Sequence, residues 1–298
     1  MMASCRFCGK KAGLFKHEHE ECALDHSEAM RNFPLSIETA LTSGKTIAEA
    51  GSGLDEIAEK GRLTSTEKWQ LFTEVWNRVV RVIAMESPLS PDQYSALEHF
   101  YNESKMSADA VQSTAGGRAA ILSFLLWTVY HDQIDPYRGP VNFNTKDDEV
   151  AVFGMANIYL LEERAQRVSN SVYGGLSLPI GHGIYYHMGR GQSQSVSVQV
   201  LKEIDYGDIL ITTKRLYFGG TSKSFAIEHK KALRFEPFSD GVGISATGKP
   251  KILRCAAFDD CGWFLYNLLT ALAARESKPR EVKNVLPIRV KAQSEGGA

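Results

Sequence analysis

The stretch GDILITTKRLYFGGTSKSFAIEHKKALRFEPFSDGVGI, residues 207–244, decides the fold of this chain. At its start, Ile209 and Ile211 alternate with Leu210 and Thr212, which is the two-residue period of a β-strand. Two glycines at 219–220 mark a turn, and Asp-Gly at 240–241 is a further hairpin signal. We therefore predict a series of short antiparallel strands here.

A helix is predicted directly after these strands. The stretch DDCGWFLYNLLTALAA, residues 259–274, follows KILRCAAF, which is the last predicted strand. Apolar residues recur along it at helical spacing. We expect this helix to cover one open end of the bent sheet and so to hide the core. Its apolar face would be formed by Phe264, Leu265, Leu268, Leu269 and Leu272.

The strand stretch resembles the GRAM and bacterial pleckstrin-homology-like group. The resemblance is best over residues 207–274 and fades upstream. It implies an antiparallel β-barrel of pleckstrin-homology-like type, capped by a C-terminal helix, that binds partners without catalytic machinery. The matching positions are Gly207, Leu210, Thr212, Arg215, Leu216 and Phe218.

Lipid-binding members of this group use basic side chains in the loop between their first two strands. The basic residues of this chain that lie near the matching positions are therefore the candidate ligand-binding residues, and we name Lys223, Lys214 and Lys230. Lys223 is best placed for an anion because it lies in a Gly-Gly-Thr-Ser-Lys turn. Arg215 is expected to make a structural salt bridge or to pack its stem on the sheet.

The head of the chain contains a predicted zinc site. Three of the five cysteines fall in residues 5–22, and Cys5 and Cys8 form a C-x2-C pair followed by glycine. A structural zinc ion takes four ligands in a closed tetrahedron. Cys22 is the natural third ligand, and His19 would complete the pattern C-x2-C-x10-H-x2-C. A head of this kind, joined to such a C-terminal domain, resembles uncharacterised bacterial proteins of this layout.

Two other histidines remain open as the fourth ligand. His26 would place two ligands four residues apart on one helix face, whereas His17 is placed least conveniently. In each case three thiolates and one imidazole saturate the ion and leave no position for a substrate. We therefore predict a structural Zn²⁺ that lets the head fold without a large core of its own.

The middle of the chain reads as an all-α bundle. Thr64 and Glu67 form a capping box before a run with helical period, residues 64–86. A second helix should begin with Ser90 as N-cap and Pro91 at the first helical position. Further helices are predicted around residues 37–41, 47–58, 107–111 and 116–132.

Proline and glycine at 136–140 separate this bundle from the strands. We predict an α+β multidomain chain with a zinc-binding head at 1–28, a helical bundle at 29–135, a pleckstrin-homology-like domain at 148–275 and a polar tail at 276–298. The glycine-rich stretch 165–200 looks like an elaboration of that domain. Short strands are predicted within it, around residues 178–180, 184–188 and 196–201.

Composition limits the cellular setting. The 34 basic and 35 acidic residues give a formal charge of −1, so no long-range field attracts nucleic acid or an anionic membrane. The most apolar run, AAILSFLLWTVY at residues 119–130, is shorter than the about 20 residues that span a bilayer. No secretory signal is recognised, and clustered cysteines suit a reducing compartment. We predict a cytoplasmic bacterial protein without a transmembrane segment.

These features favour a non-enzymatic adaptor that docks a protein partner or an anionic lipid headgroup. The sequence has no G-x-S-x-G, H-E-x-x-H or Walker A motif, so no catalytic residue is predicted. One alternative is a nucleic-acid-associated protein that uses the basic residues of the head, Arg6, Lys10, Lys11 and Lys16, although Glu18, Glu20 and Glu21 dilute their charge. A second alternative is an enzyme with a site in residues 165–200, which contain His182 and His187.

Overall fold

The structure is a computed structural model that describes residues 3–13, 16–45, 49, 53–140, 142–172, 175–179, 185–189, 192–256 and 260–276; for residues 165–199 within these ranges it describes the backbone. The described chain is mixed α+β. It consists of a small head with the cysteines, a helical unit and a curled antiparallel sheet followed by a helix.

In the part of the chain that the structure describes, six helices form the helical unit. They are α1 (Glu20–Ser43), α2 (Leu54–Lys60), α3 (Ser65–Glu86), α4 (Pro91–Glu103), α5 (Ala108–Gln112) and α6 (Ala115–Tyr130). Both predicted helix starts are confirmed. The Thr64 hydroxyl accepts from the Glu67 N–H, and the Glu67 carboxylate accepts from the Thr64 N–H. Ser90 and Gln93 form the same reciprocal pair at the start of α4, where Pro91 is the first helical residue.

The first helix differs from the prediction. A short helix was predicted at 37–41, but α1 runs unbroken over 24 residues and contains Pro34. Buried residues Phe33 and Ile37 lie on either side of the proline, so packing keeps the segment helical despite the lost hydrogen bond. The helix also crosses residue 28, where the sequence placed the end of the head. Residues 47, 48 and 50–52 of the predicted helix at 47–58 lie outside the described residues, and its last part corresponds to α2.

Within the described residues, seven strands form one sheet: β3 (Ala151–Val172), β6 (Gln192–Thr212), β7 (Arg215–Gly220), β8 (Ser224–Glu228), β9 (Arg234–Phe238), β10 (Gly241–Ser245) and β11 (Lys251–Cys255). Their order across the sheet is β8-β7-β6-β3-β11-β10-β9. Every neighbouring pair is antiparallel. Since β8 and β9 are the edges of the described sheet, it is a half-barrel, and the predicted barrel is seen only to that extent.

The glycine-rich stretch extends two of these strands. β3 and β6 pair continuously from Glu162 opposite Lys202 to Val172 opposite Gln192. A further hairpin, β4 (Gly175–Pro179) with β5 (Tyr185–Gly189), follows within this excursion. The short strands predicted near 178–180 and 184–188 correspond to this hairpin, although residues 180 and 184 lie outside the described residues. The predicted strand at 196–201 is part of the much longer β6.

The C-terminal helix α7 (Cys261–Glu276) packs against the half-barrel. Phe264, Leu265, Leu268, Leu269 and Leu272 have no exposed surface and join the sheet residues in one core, as predicted from the helix face. The ring of Phe264 meets Phe153 of β3 edge-on, with 4.7 Å between the ring centroids. Residue 276, assigned to the polar tail from sequence, ends this helix.

Helix α6 belongs to two cores. Ala119 and Ala120 are buried among the other helices of the helical unit. One turn later, Leu122, Leu126 and Val129 are buried together with the sheet and α7. The helical unit and the half-barrel therefore share an element and are not joined by a linker alone.

Candidate metal centre

The head is a small knuckle built on a two-stranded pairing. β1 (Ala3–Ser4) pairs with β2 (Lys11–Gly13), and the turn between them carries Cys5 and Cys8. The Cys5 N–H donates to the Lys10 carbonyl, and the Gly9 N–H donates to the Cys5 carbonyl. Gly9 has a φ of 70°, a conformation that residues with a Cβ rarely adopt. This turn directs both thiols to the same side.

The start of α1 supplies the other two ligands. His19 is the N-cap of the helix and Cys22 lies in its first turn. One ligand atom from each of Cys5, Cys8, His19 and Cys22 lies within 4.8 Å of all the others. The Nδ1 atom of His19 is 3.3 Å from the Cys8 Sγ and 3.7 Å from the Cys22 Sγ. Tetrahedral zinc with Zn–S of about 2.3 Å and Zn–N of about 2.0 Å separates donors by about 3.5–3.8 Å, so the four residues fit a metal ion.

The ring of His19 is oriented by the backbone. Its Nε2 atom lies 3.0 Å from the Lys11 carbonyl oxygen. A carbonyl accepts only from a protonated ring nitrogen, so this contact assigns the proton to Nε2 and leaves the lone pair of Nδ1 facing the three thiols. A partner of this kind on the second ring nitrogen is the usual support of a metal-bound histidine.

The environment of the thiols differs between the knuckle and the helix. Burial raises the pKa of the Cys5 thiol, but N–H groups of Cys8, His19 and Phe7 stabilise its thiolate and lower the pKa to about 6. For Cys22, burial and the neighbouring Cys8 thiol raise the pKa to about 11. Without a cation, the cluster thus favours a thiolate at Cys5 and disfavours another at Cys22, and a divalent ion would supply the missing positive charge.

The other two histidines do not join the cluster. His26 faces the helical unit, where its Nδ1 lies 2.8 Å from the Gly61 carbonyl and its Nε2 lies 3.3 Å from a Glu67 carboxylate oxygen. Its ring also contacts Phe7, with 4.4 Å between centroids. The backbone carbonyl of His17 accepts from the Arg6 N–H. The structure therefore brings together the ligand set with His19, and His26 instead docks the head on the helical unit.

The three candidate lysines of the sheet have carboxylate partners. The Nζ of Lys223 is 3.2 Å from Glu162, that of Lys214 bonds Asp148, and that of Lys230 is 3.7 Å from Glu228. Lys214 and Lys223 lie at opposite ends of β7, which at about 3.3 Å per residue separates them by about 20 Å. Lys223 therefore lies apart from Lys214, whereas Lys230 follows His229, whose N–H donates to the Lys214 carbonyl.

The turn that holds Lys223 is itself occupied by an internal anion. The Asp205 carboxylate accepts from the Thr221 hydroxyl at 2.6 Å, from the Ser222 N–H at 3.0 Å and from the Lys223 N–H at 2.6 Å. These hydrogen bonds hold the pKa of Asp205 well below its usual value. An external anion would have to displace a carboxylate of the chain itself.

A buried charge network lies beneath the same hairpin. Arg215 has a side chain only 13% exposed and lies 3.3 Å from each of two carboxylates, Glu149 and Glu228. Glu149 also accepts from the hydroxyls of Thr212 and Tyr217. This confirms Arg215 as a structural residue. Sequence reasoning missed Glu149, which lies 66 residues away and carries no local signal.

The described residues do not test either of the two rival predictions. In the head, Arg6 pairs with Glu18 at 2.6 Å, so part of its positive charge is compensated. Of the histidines in the 165–200 stretch, His182 lies outside the described residues, and for His187 only the backbone in β5 is described. An enzymatic site in that stretch stays an untested hypothesis.

Protein-family models give no match to this chain, and a search of curated proteins also gives none. Within the described residues, no helix combines the length and the apolar character needed to cross a membrane.

Proposed function

We propose that this chain is a non-enzymatic adaptor with a structural zinc ion in its head and a protein-docking edge on a pleckstrin-homology-like half-barrel. The observation that carries the proposal is the closed donor set of Cys5, Cys8, His19 and Cys22. Four protein ligands complete a tetrahedron, so a bound ion has no open position for a substrate or a reactive water. A cytoplasmic location would keep the thiols reduced.

Zinc is the metal that this donor set favours. Thiolates select soft or borderline ions, and a tetrahedral arrangement of three sulfurs and one nitrogen is typical of structural zinc. The ion would be held by residues from two elements, the knuckle turn and the start of α1. Its role would be to fix the head on the helical unit, where Phe7 and His26 make the contact.

The half-barrel supports the docking part of the proposal. A curled antiparallel sheet followed by a single packed helix is the arrangement that the resemblance implies. Its two edges differ. β9 contains Pro237, which blunts an edge strand, whereas β8 has no proline. An extended peptide could add to β8 as a further strand, a common mode of recognition.

The register shows which backbone groups of β8 are free for such an addition. The Gly220 N–H donates to the Lys223 carbonyl, so the pairs that follow alternate between hydrogen-bonded and non-hydrogen-bonded positions. Ala226 opposite Tyr217 then falls at a non-hydrogen-bonded position. Its N–H and carbonyl point away from β7, toward the edge.

Metal content tests the zinc site. Purified wild-type protein should contain zinc in a near-stoichiometric amount, and Cys8→Ser should lose most of it because three ligands hold the ion far less tightly than four. Cys255→Ser is the matched control, since Cys255 is a buried thiol of β11 outside the cluster. Equal zinc in the wild type and in Cys8→Ser would refute the assignment.

Substitution of one edge residue tests the docking surface. Immobilised wild-type protein should retain a partner from extract of the native host, and Ala226→Pro should lose it because proline removes an outward N–H while sparing the β7–β8 ladder. Ala226→Val keeps the N–H and should retain the partner. Equal retention by wild type and Ala226→Pro, with both folded by circular dichroism, would exclude β8 as the docking edge.

A further inference from the structure

A cavity of about 490 Å³ lies between four helices of the helical unit. Three residues that are at most 9% exposed line it, namely Phe33 of α1, Leu54 of α2 and Phe72 of α3, and Met106 lines it from the turn after α4. The ring of Phe72 also stacks on Phe100, with 6.2 Å between the centroids. The cavity therefore has an apolar wall that the core of the unit holds in place, and its volume is in the range of small-molecule sites.

An ion pair between α2 and the end of α4 fixes one side of the cavity. The Lys105 ammonium lies 2.7 Å from an Asp55 carboxylate oxygen, and both residues line the cavity. Lys105 has a φ of 57°, a conformation that is uncommon for a residue with a Cβ. The chain turns here, so that Lys105 reaches α2 while Met106 lines the apolar wall. The charges of Asp55 and Lys105 compensate each other.

Lys68 is the cation of the described lining that lies outside this ion pair. It precedes Phe72 by one turn of α3, so the two side chains lie on one face of the helix. Lys68 is partly buried, and no described carboxylate lies within ion-pair distance of its ammonium. It acts on Asp55 only through space, since that carboxylate bonds Lys105. Glu103, the other carboxylate of the described lining, is exposed and has a partner of its own.

We infer that this cavity binds a small carboxylic acid with an apolar body. The body would lie against Phe33, Phe72 and Met106. The carboxylate would accept from the Lys68 ammonium, with the Ser65 hydroxyl of the same helical turn as a further donor. An anionic head group gains a charge-assisted hydrogen bond there, whereas a cationic head group would be repelled. The cavity is separate from the metal centre and from β8, so its ligand does not depend on the proposed function.

Three probes with one apolar body and different head groups test the inference on the full-length protein. Octanoate, octanol and octylammonium are titrated separately by isothermal titration calorimetry. Octanoate should bind about tenfold or more tightly than octylammonium, with octanol between them, because its carboxylate is the head group that Lys68 can bind.

Substitution of the lysine tests which cation is responsible. Lys68→Met keeps much of the apolar stem, so it should lower the affinity for octanoate by about tenfold and change the affinity for octanol by less than about twofold. Lys60→Met is the matched control, since Lys60 is a 63% exposed lysine of α2 outside the lining; it should bind all three probes like the wild type. In the wild type, octanoate should shift the backbone amide resonances of residues 53–55, 65–68 and 103–106.

Four results would overturn the inference. The first is no binding of octanoate by folded wild-type protein. The second is octanoate binding no tighter than that of octylammonium, which would show that the cavity does not prefer an anion. The third is unchanged octanoate affinity in Lys68→Met. The fourth is saturable binding that leaves the amide resonances of the lining residues in place, since the probe would then occupy another site.

Discussion

Replacement of Arg215 by methionine should destabilise the half-barrel strongly at neutral pH. The side chain is 13% exposed and lies 3.3 Å from Glu149 and from Glu228, and the Glu149 side chain has no exposed surface. Methionine keeps much of the apolar stem but leaves Glu149 without its cation. Removal of one partner from a buried ion pair costs about 3–5 kcal/mol, and the residual exposure of this pair places the expected loss near about 3 kcal/mol.

The loss should depend on pH in a defined direction. Burial opposes ionisation of Glu149, but hydrogen bonds from Thr212, Tyr217 and the Lys146 N–H, together with Arg215, hold its pKa below the usual value. A carboxylate with a lowered folded pKa stabilises the fold above its unfolded pKa of about 4.3, and this contribution disappears as the pH falls through the folded value. The cost of Arg215→Met should therefore be largest above about pH 4.3 and should shrink as the pH falls further below that value, because a protonated Glu149 needs no cation.

Urea unfolding followed by tryptophan fluorescence measures both quantities, with the free energy of unfolding obtained at each pH. Lys230→Met is the matched control. Its ammonium pairs with the same Glu228, but the side chain is 60% exposed, so a change too small to resolve is expected. Any metal ion bound in the head would be lost from all variants alike at low pH, so its effect cancels in the difference. A cost for Arg215→Met no larger than that of Lys230→Met, or one that does not change with pH, would refute the reasoning.

Two further substitutions test how the sheet is closed and how its hairpin is held. A Cβ at Gly262 would lie 1.9 Å from the Phe238 carbonyl oxygen. Gly262→Ala should therefore shift the start of α7 and lower the free energy of unfolding, measured by thermal unfolding, by about 1–3 kcal/mol. Thr270→Ala on the exposed face of α7 is the control, and equal melting temperatures for the two variants would contradict this packing. Asp205→Asn removes the charged acceptor of the 221–223 turn, so amide exchange of Ser222 and Lys223 should quicken at pH 7. Because the pKa of Asp205 is lowered, the difference in amide exchange between wild type and variant should disappear as the pH falls below the usual aspartate pKa of about 3.9. Equally slow exchange of the turn amides in both proteins at pH 7 would show that the carboxylate does not hold the turn.

Local signals in the sequence predicted the parts of this molecule that short-range physics determines. The capping boxes at Thr64 and Ser90 need only residues three positions apart. The four candidate metal ligands lie within 18 residues, and their spacing follows from the knuckle turn and the first turn of α1. The C-terminal helix is recognisable because its apolar face is continuous from Phe264 to Leu272.

Features that depend on distant residues could not be predicted in the same way. The sequence predicts only a short strand at 196–201, whereas the length of the paired extension of β3 and β6 follows from a register between residues up to 40 positions apart, from Glu162 opposite Lys202 outward. The prediction that Lys223 binds an external anion did not include the contact with Asp205, whose carboxylate reaches the turn from β6. The choice between His19 and His26 depended on Gly61 and Glu67, whose contacts with His26 bring α1 to the following helices.

Helix α6 makes the separate parts of this chain energetically dependent on one another. Its first half is buried in the helical unit and its second half in the core of the half-barrel, so neither core can lose the helix without exposing apolar surface in the other. Arg81 of α3 bonds Asp260 at the start of α7, and Arg275 near the end of α7 bonds Asp132 just after α6. The helical unit and the half-barrel should therefore unfold as one cooperative unit. A metal ion that fixes the head on α1 would then stabilise that whole unit, including β8, because binding to the folded state alone shifts the entire equilibrium.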